Sequence, residues 1–170
     1  NITNVLSIAG SGSRAGKGKR PRNGVSAGKT ARVRSLRSGG TASQPEMPLL
    51  HRPAEELAIA VEAALDKKAQ DITWMDIREV CSFTDNFIIC TGTSNRHIQT
   101  ISDGIEESLK YEGVRPLHIE GYSEGDWILM DYSDFVVHIF SARAREFYDL
   151  ERLWRSGKKR DIHELIGQAT

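Results

Sequence analysis

Residues 126–140, DWILMDYSDFVVHIF, decide the fold. Two β-rich apolar runs flank Tyr132-Ser133, the pattern of a tight hairpin, although the Asn-Gly or Asp-Gly pair of the strongest such turns is missing. The pattern sets two acids, Asp131 and Asp134, at the hairpin tip. Alternation leaves the burial of Trp127 open between core and half-exposed surface. A surface of this kind suits docking onto a basic protein better than chemistry, because no nucleophile, base or metal-ligand set lies beside it.

Working outward, Pro53 suits the first turn of a helix, with Glu55 and Glu56 at its positive end and Lys67 and Lys68 at its negative end. Leu57, Val61, Ala64 and Leu65 form its apolar stripe. Residues 72–77 read as a strand, and residues 86–90, NFIIC, as a second whose unbroken apolar run implies cover on both faces. Thr93, Ser94 or Asn95 then caps a helix with the stripe Ile98, Ile101, Ile105 and Leu109, closed by Gly113. A strand over residues 116–120 and a loop over 121–125 lead into the hairpin. A last helix over residues 144–154 places Phe147, Leu150 and Trp154 at i, i+3 and i+7. Beyond Arg155 the chain is polar and reads as a frayed tail. Alternating elements ending in a hairpin predict an α/β fold, a mixed sheet flanked by helices. The expected division is an N-terminal extension over residues 1–52, a folded domain over 53–156 and a polar tail over 157–170.

Charge divides the chain differently from its zero total. Residues 1–50 carry nine Lys and Arg against the single acid Glu46, a balance of +8, so residues 51–170 carry −8. A basic, acid-poor segment joined to an acidic body is two physical objects. Residues 1–52 are rich in Gly, Ser, Ala and Arg without hydrophobic period, a composition expected to be disordered because it buries too little to offset chain entropy. Three accounts stay open for it: an organellar transit peptide, a basic RNA-binding arm, or sequence upstream of a start at Met47. The chain's cysteines, Cys81 and Cys90, lack CxxC spacing, and a reducing intracellular compartment is expected. No apolar run approaches the ~20 residues that span a bilayer.

The motifs that promise chemistry fail on spacing. Residues 24–30, GVSAGKT, have three residues between the glycines where a phosphate loop needs four, and no strand precedes them. Gly92-Thr93-Ser94 stands between a strand and a helix, where backbone N–H groups meet phosphates, but nucleotidyl transfer needs two carboxylates spaced i, i+2 on the next strand. That strand offers only Glu120, and Asp131 and Asp134 are three apart across a turn. None of His51, His97, His118, His138 and His163 has another at i+2 or i+4. His138 reads as a core histidine, His97 as a surface one and Cys90 as a small hydrophobe. No catalytic residue, metal ligand or cofactor is expected.

From Asp71 onward the chain resembles a known family. TDNFIICTGTSNRHI, the hairpin segment itself and YDLERLW, in that order, are similar to the ribosomal silencing factors, RsfS or Iojap-like proteins, over about residues 53–154. The resemblance implies a mixed sheet related to nucleotidyltransferases but without their catalytic carboxylates. It also implies a non-enzymatic protein that binds the large ribosomal subunit on large-subunit protein 14, blocks joining of the small subunit and represses translation under nutrient limitation. Organellar members are implied to act in ribosome assembly.

Carried over by motif, the docking surface falls on Trp127, Ile128, Met130, Asp131, Tyr132 and Asp134, with Tyr148 and Glu151 on the following helix. Each has a plainer reading beside it: Trp127 as core, the two aspartates as turn formers, Tyr148 and Glu151 as a solvated helix face. The acidic body complements a basic ribosomal protein. A homodimer and ribosomal RNA stand beside that protein as candidate partners, and a membrane does not. The expected location is the cytoplasm, or a chloroplast or mitochondrion if residues 1–46 are a transit peptide. Two functions of other classes compete: a nucleotidyltransferase-fold enzyme, and an RNA-binding assembly factor that uses the basic arm.

Overall fold

The structure, a computed structural model, describes residues 52–167. The expectations for the basic extension, the phosphate-loop-like GVSAGKT and His51 lie outside the described residues.

A six-stranded sheet forms the body, in the order β3-β4-β5-β2-β1-β6. Its strands are β1 (Gln70–Asp76), β2 (Asn86–Gly92), β3 (His118–Glu120), β4 (Trp127–Asp131), β5 (Phe135–Ser141) and β6 (Lys158–Arg160). The pairing of β2 with β5 is parallel and the other pairings are antiparallel, so the sheet is mixed as expected. Every residue of β2 is buried, since this strand lies inside the sheet with cover on both faces.

One face carries α1 (Pro53–Asp66) and α2 (Asn95–Tyr111). Ser94 is the residue that caps α2, its Oγ accepting from His97 N at 3.0 Å. Ile98, Ile101, Ile105 and Leu109 are fully buried against Ile88, Cys90, Val137 and Ile139, so the predicted stripe is the packed stripe. Gly113 follows α2 at φ +82°, a backbone that other residues adopt at a steric cost. In α1 the stripe holds for Leu57, Val61 and Ala64, but Leu65 is exposed, and Lys67 and Lys68 lie just past the last turn.

The hairpin forms, with its turn one residue later than read. Tyr132 pairs with Phe135 through its N–H at 3.0 Å, leaving Ser133-Asp134 as the loop. Ser133 takes φ 72°, and its N–H donates to Asp131 Oδ1 at 2.8 Å, so the aspartate closes the turn with no Asn-Gly pair.

The C-terminal third departs most from expectation. The helix expected over residues 144–154 is two short ones, α3 (Ala142–Tyr148) and α4 (Leu150–Leu153), because Asp149 between them is left-handed at φ 44°. That break turns Phe147 out to 80% exposure while Leu150 and Trp154 stay in the core. The expected polar tail is structured. β6 pairs with β1, and α5 (His163–Ile166) places Leu165 in the helix-side core. One apolar side chain per turn and a backbone that completes a sheet edge suffice there, which a composition-based reading does not detect.

Candidate functional site

The sheet's second face is covered by α3, α4 and Trp154, and over it the β4–β5 hairpin meets α3. Here lies an open depression of about 770 Å³. The β3–β4 segment contributes Glu120, Glu124, Asp126 and Trp127 to its lining, and α3 contributes Arg143, Phe147 and Tyr148. The rings of Trp127 and Tyr148 are 4.7 Å apart, and those of Phe147 and Tyr148 stand edge to face at 5.0 Å. The ring of Phe147 is thus a large apolar surface held beside acidic groups and open to solvent.

Strand alternation divides the expected docking residues. Trp127, Leu129 and Asp131 share the second face, whereas Ile128 and Met130 point into the helix side. Ile128 and Met130 are fully buried and Tyr132 nearly so, all three in the helix-side core, so direct contact through these side chains does not fit the packing. Tyr132 stacks on Phe135 at 4.9 Å, and its phenol pKa is pushed up by burial. Trp127 is 4% exposed and offers little beyond a ring edge at the depression. The acids Asp131 and Asp134 are half-buried at the opposite end of the hairpin, about 13 Å along the strand from Trp127 at ~3.3 Å per residue. His118 Nε2 lies 3.7 Å from Asp131 Oδ2 and 3.8 Å from Glu120 Oε1, between one tip acid and one acid of the depression.

Glu151 is held by Arg145, whose Nε donates to Glu151 Oε1 at 3.1 Å. The same guanidinium donates to the carbonyl of Asp71 at 2.6 Å, to Thr91 Oγ1 at 2.9 Å and to Thr73 Oγ1 at 3.3 Å. Arg145 thereby fastens α3 and α4 to β1 and β2, and Glu151 anchors this fastening in addition to being half-exposed. The i, i+3, i+7 spacing puts Phe147 on one stripe with Leu150 and Trp154, and the sign that it leaves that stripe, an aspartate able to take a left-handed conformation two residues later, is weak.

The chemistry of the remaining polar groups is restrained. His138 is fully buried, and burial pushes its pKa down to about 3. Burial likewise pushes the Cys90 thiol up to about 12, the behaviour of a packed hydrophobe. His97 is less free than read: its Nδ1 accepts from Thr93 N at 2.9 Å and its Nε2 lies 2.6 Å from the carbonyl of Lys67. It ties the end of α1 to the start of α2. Among the described residues no group of three His, Cys, Asp or Glu is gathered as a metal site, and no helix is long and apolar enough to cross a membrane.

Comparison with known proteins gives consistent findings. The family described as "Ribosomal silencing factor during starvation" matches residues 51–170. A curated relative from Bacillus subtilis, named ribosomal silencing factor RsfS, is 36% identical over 106 residues, covering 62% of this chain and 90% of the relative. The mouse protein named "Mitochondrial assembly of ribosomal large subunit protein 1" is 30% identical over 122 residues, covering 69% of this chain and 54% of that one. Among solved structures, a Chromobacterium violaceum protein superposes with a TM-score of 0.61 at 34% identity, covering 65% of this chain and 92% of its own.

Proposed function

This chain belongs to the ribosomal silencing factor family, and from that premise we propose that it binds the large ribosomal subunit on large-subunit protein 14 and holds off the small subunit. The observation that carries the reading is the family match across every described element, from α1 to α5. The action is steric: a bound protein occupies the joining surface and translation falls, with no bond made or broken by this chain.

The second face of the sheet supplies the docking surface in this reading. Ribosomal proteins are basic, and Glu120, Glu124, Asp126, Asp131 and Asp134 present acid along one flank of it. Phe147, at the border between this flank and the basic segment, supplies an apolar anchor to the large subunit, with Tyr148 behind it and Trp127 as support. Aromatic side chains beside a desolvated centre are the commonest energetic anchors of interfaces. Ile128, Met130 and Tyr132 serve by holding the hairpin in register.

The extension over residues 1–46 lies outside the family match and is not needed for docking. If it is a transit peptide, the protein works in an organelle, and its removal changes location while binding persists; otherwise the cytoplasm is its place.

Co-sedimentation of the full chain with purified large and small subunits tests the proposal. Recovery with large subunits alone is expected. Recovery with neither subunit, or equally with both, would remove it.

A further inference from the structure

The second face carries a charge boundary. Residues 52–141 hold seven basic and seventeen acidic side chains, −10, whereas residues 142–160 hold seven basic and three acidic, +4. Part of the second group lies on this face. Beside the acidic depression, and sharing Phe147 and Tyr148 with it, lies a second open depression of about 510 Å³ lined also by Arg152, Leu153 and Arg155 and by one acid, Asp149. Lys159, on the edge strand β6, is on the same sheet face by register: it pairs with Met75, whose side chain belongs to the second-face core. Its neighbours face the other way, Arg160 lying over the Trp74 ring at 5.3 Å and bonded to Glu164 at 2.7 Å.

Three of the seven cations of this segment are occupied, Arg160 by Glu164 as above. Arg145 is held by Glu151 and Lys158 by Glu79. Arg152, Arg155 and Lys159 are exposed and have no ion pair among the described residues. Two unpaired guanidinium groups beside a phenyl ring that is 80% exposed, with a free ammonium further along the same face, are the chemistry that takes a phosphate backbone and one unstacked base. An acidic protein would be met by the same cations, and the salt slope and a poly-glutamate competitor separate the two in the test.

Resting on the proposed function, we infer that this part of the second face, a basic shelf, is an RNA-contacting surface, with Arg152, Arg155 and Lys159 on phosphates and Phe147 against a base. The docking face is then matched to a composite partner: acid opposite a basic protein, base opposite the nucleic acid next to it.

The test uses the full chain and a fluorescein-labelled RNA hairpin of about 20 nucleotides with a single-stranded loop, titrated across about 50–200 mM salt. Arg152→Gln with Arg155→Gln and Lys159→Gln is expected to weaken binding about tenfold or more. It should lower the slope of log affinity against log salt by about 2, since each phosphate contact contributes ~0.7 on single strands and ~0.9 on duplex. Phe147→Ala is expected to weaken binding about tenfold with the slope unchanged, as for a lost stacking platform. A chain whose nine basic residues within residues 1–50 are changed to Gln separates the arm from the shelf, and it should retain RNA binding that the triple change then abolishes. Circular dichroism confirms that each variant is folded. An unchanged affinity and slope in the triple variant would overturn the inference, as would complete loss on neutralising the arm alone, or a poly-glutamate peptide bound as tightly as the RNA. If wild-type protein sediments with large subunits while the triple variant binds RNA normally, only the shelf is wrong. If wild-type protein does not sediment with them, the proposed function itself fails.

Discussion

The indole Nε1 of Trp127 donates a hydrogen bond to Nδ1 of His138, 3.1 Å away across the β4–β5 pair. An indole nitrogen only donates, so Nδ1 bears the lone pair and the histidine proton resides on Nε2. The ring is neutral, edge to face with Phe87 at 4.7 Å and stacked near Phe140. Its Nε2 finds no hydrogen-bond partner among the described residues. A charged imidazolium has no place in this core, which is why burial drives the pKa down to about 3.

The first prediction is a pH dependence with a definite sign. In the unfolded chain His138 titrates near ~6.5, so between there and about 3 the unfolded state binds more protons than the folded one. Stability is therefore complete above about pH 6.5 and falls as the pH drops, by up to about 1.4 kcal/mol per unit from this group. Asp76, held low by the Arg78 guanidinium, and Asp161, held low by hydrogen bonds from His163, act only in the carboxylate range below it. Urea unfolding at pH 7, about 5.5 and about 4.5 measures the trend. His138→Gln keeps an acceptor for Trp127 and should flatten it; an equally steep fall in that variant would show that other groups are responsible.

Trp127 and Phe147 should separate stability from binding. Trp127→Ala empties part of the second-face core and is expected to cost about 3–5 kcal/mol. Phe147→Ala should leave the melting temperature within about 2 °C, since an exposed ring contributes little to folding. It should weaken attachment to large subunits about tenfold, about 1.4 kcal/mol. The pair is read from melting curves alongside quantitative co-sedimentation. A stable Trp127→Ala protein, or a Phe147→Ala protein that binds normally, goes against this assignment.

How far the sequence could be read depends on periodicity. Ile98, Ile101, Ile105 and Leu109 recur at helical spacing and the NFIIC run is unbroken, so α2, β2 and the mixed sheet were legible without coordinates. Alternation over residues 127–131 was legible too, but every side chain from Trp127 to Met130 is apolar, so the pattern does not say which lie on the second face. The break at Asp149 left no strong mark, because an i, i+3, i+7 stripe runs through it undisturbed. β6 was invisible: its three residues, Lys158, Lys159 and Arg160, are all exposed and charged, and only backbone pairing with β1 makes them a strand. The depression is tertiary, formed where distant segments meet.

The charged fastening at Arg145 carries the next prediction. Arg145→Ala removes donors from Glu151, Thr73, Thr91 and the Asp71 carbonyl together. A loss of about 2 kcal/mol or more is expected, because half-buried acceptors are left without partners. Arg145→Lys should not restore it, since one ammonium cannot reproduce a planar fork that reaches four groups. Denaturant midpoints for the two variants decide this; full rescue by lysine would mean that charge alone matters.

The segment beyond Trp154 should matter for folding. A chain ending at Ser156 loses β6 and Leu165, uncovers Trp74 and leaves the β1 edge unpaired. Burial of one leucine alone is worth about 1.5–3 kcal/mol, so a drop of about 2 kcal/mol or more in unfolding free energy is expected. Unchanged stability would return these residues to the status of a tail.

The central claim is steric exclusion by a docked acidic face, and subunit joining measures it most directly. Large subunits are incubated with the protein, small subunits are added, and light scattering follows the formation of joined ribosomes. Wild-type protein is expected to reduce the joined fraction in proportion to its occupancy of large subunits, without nucleotide. Asp131→Lys combined with Asp134→Lys should act much more weakly, because the tip then repels a basic partner, and should dock more slowly at low salt than the wild type does. Large subunits saturated with wild-type protein that still join small subunits at the normal rate and extent would contradict the account.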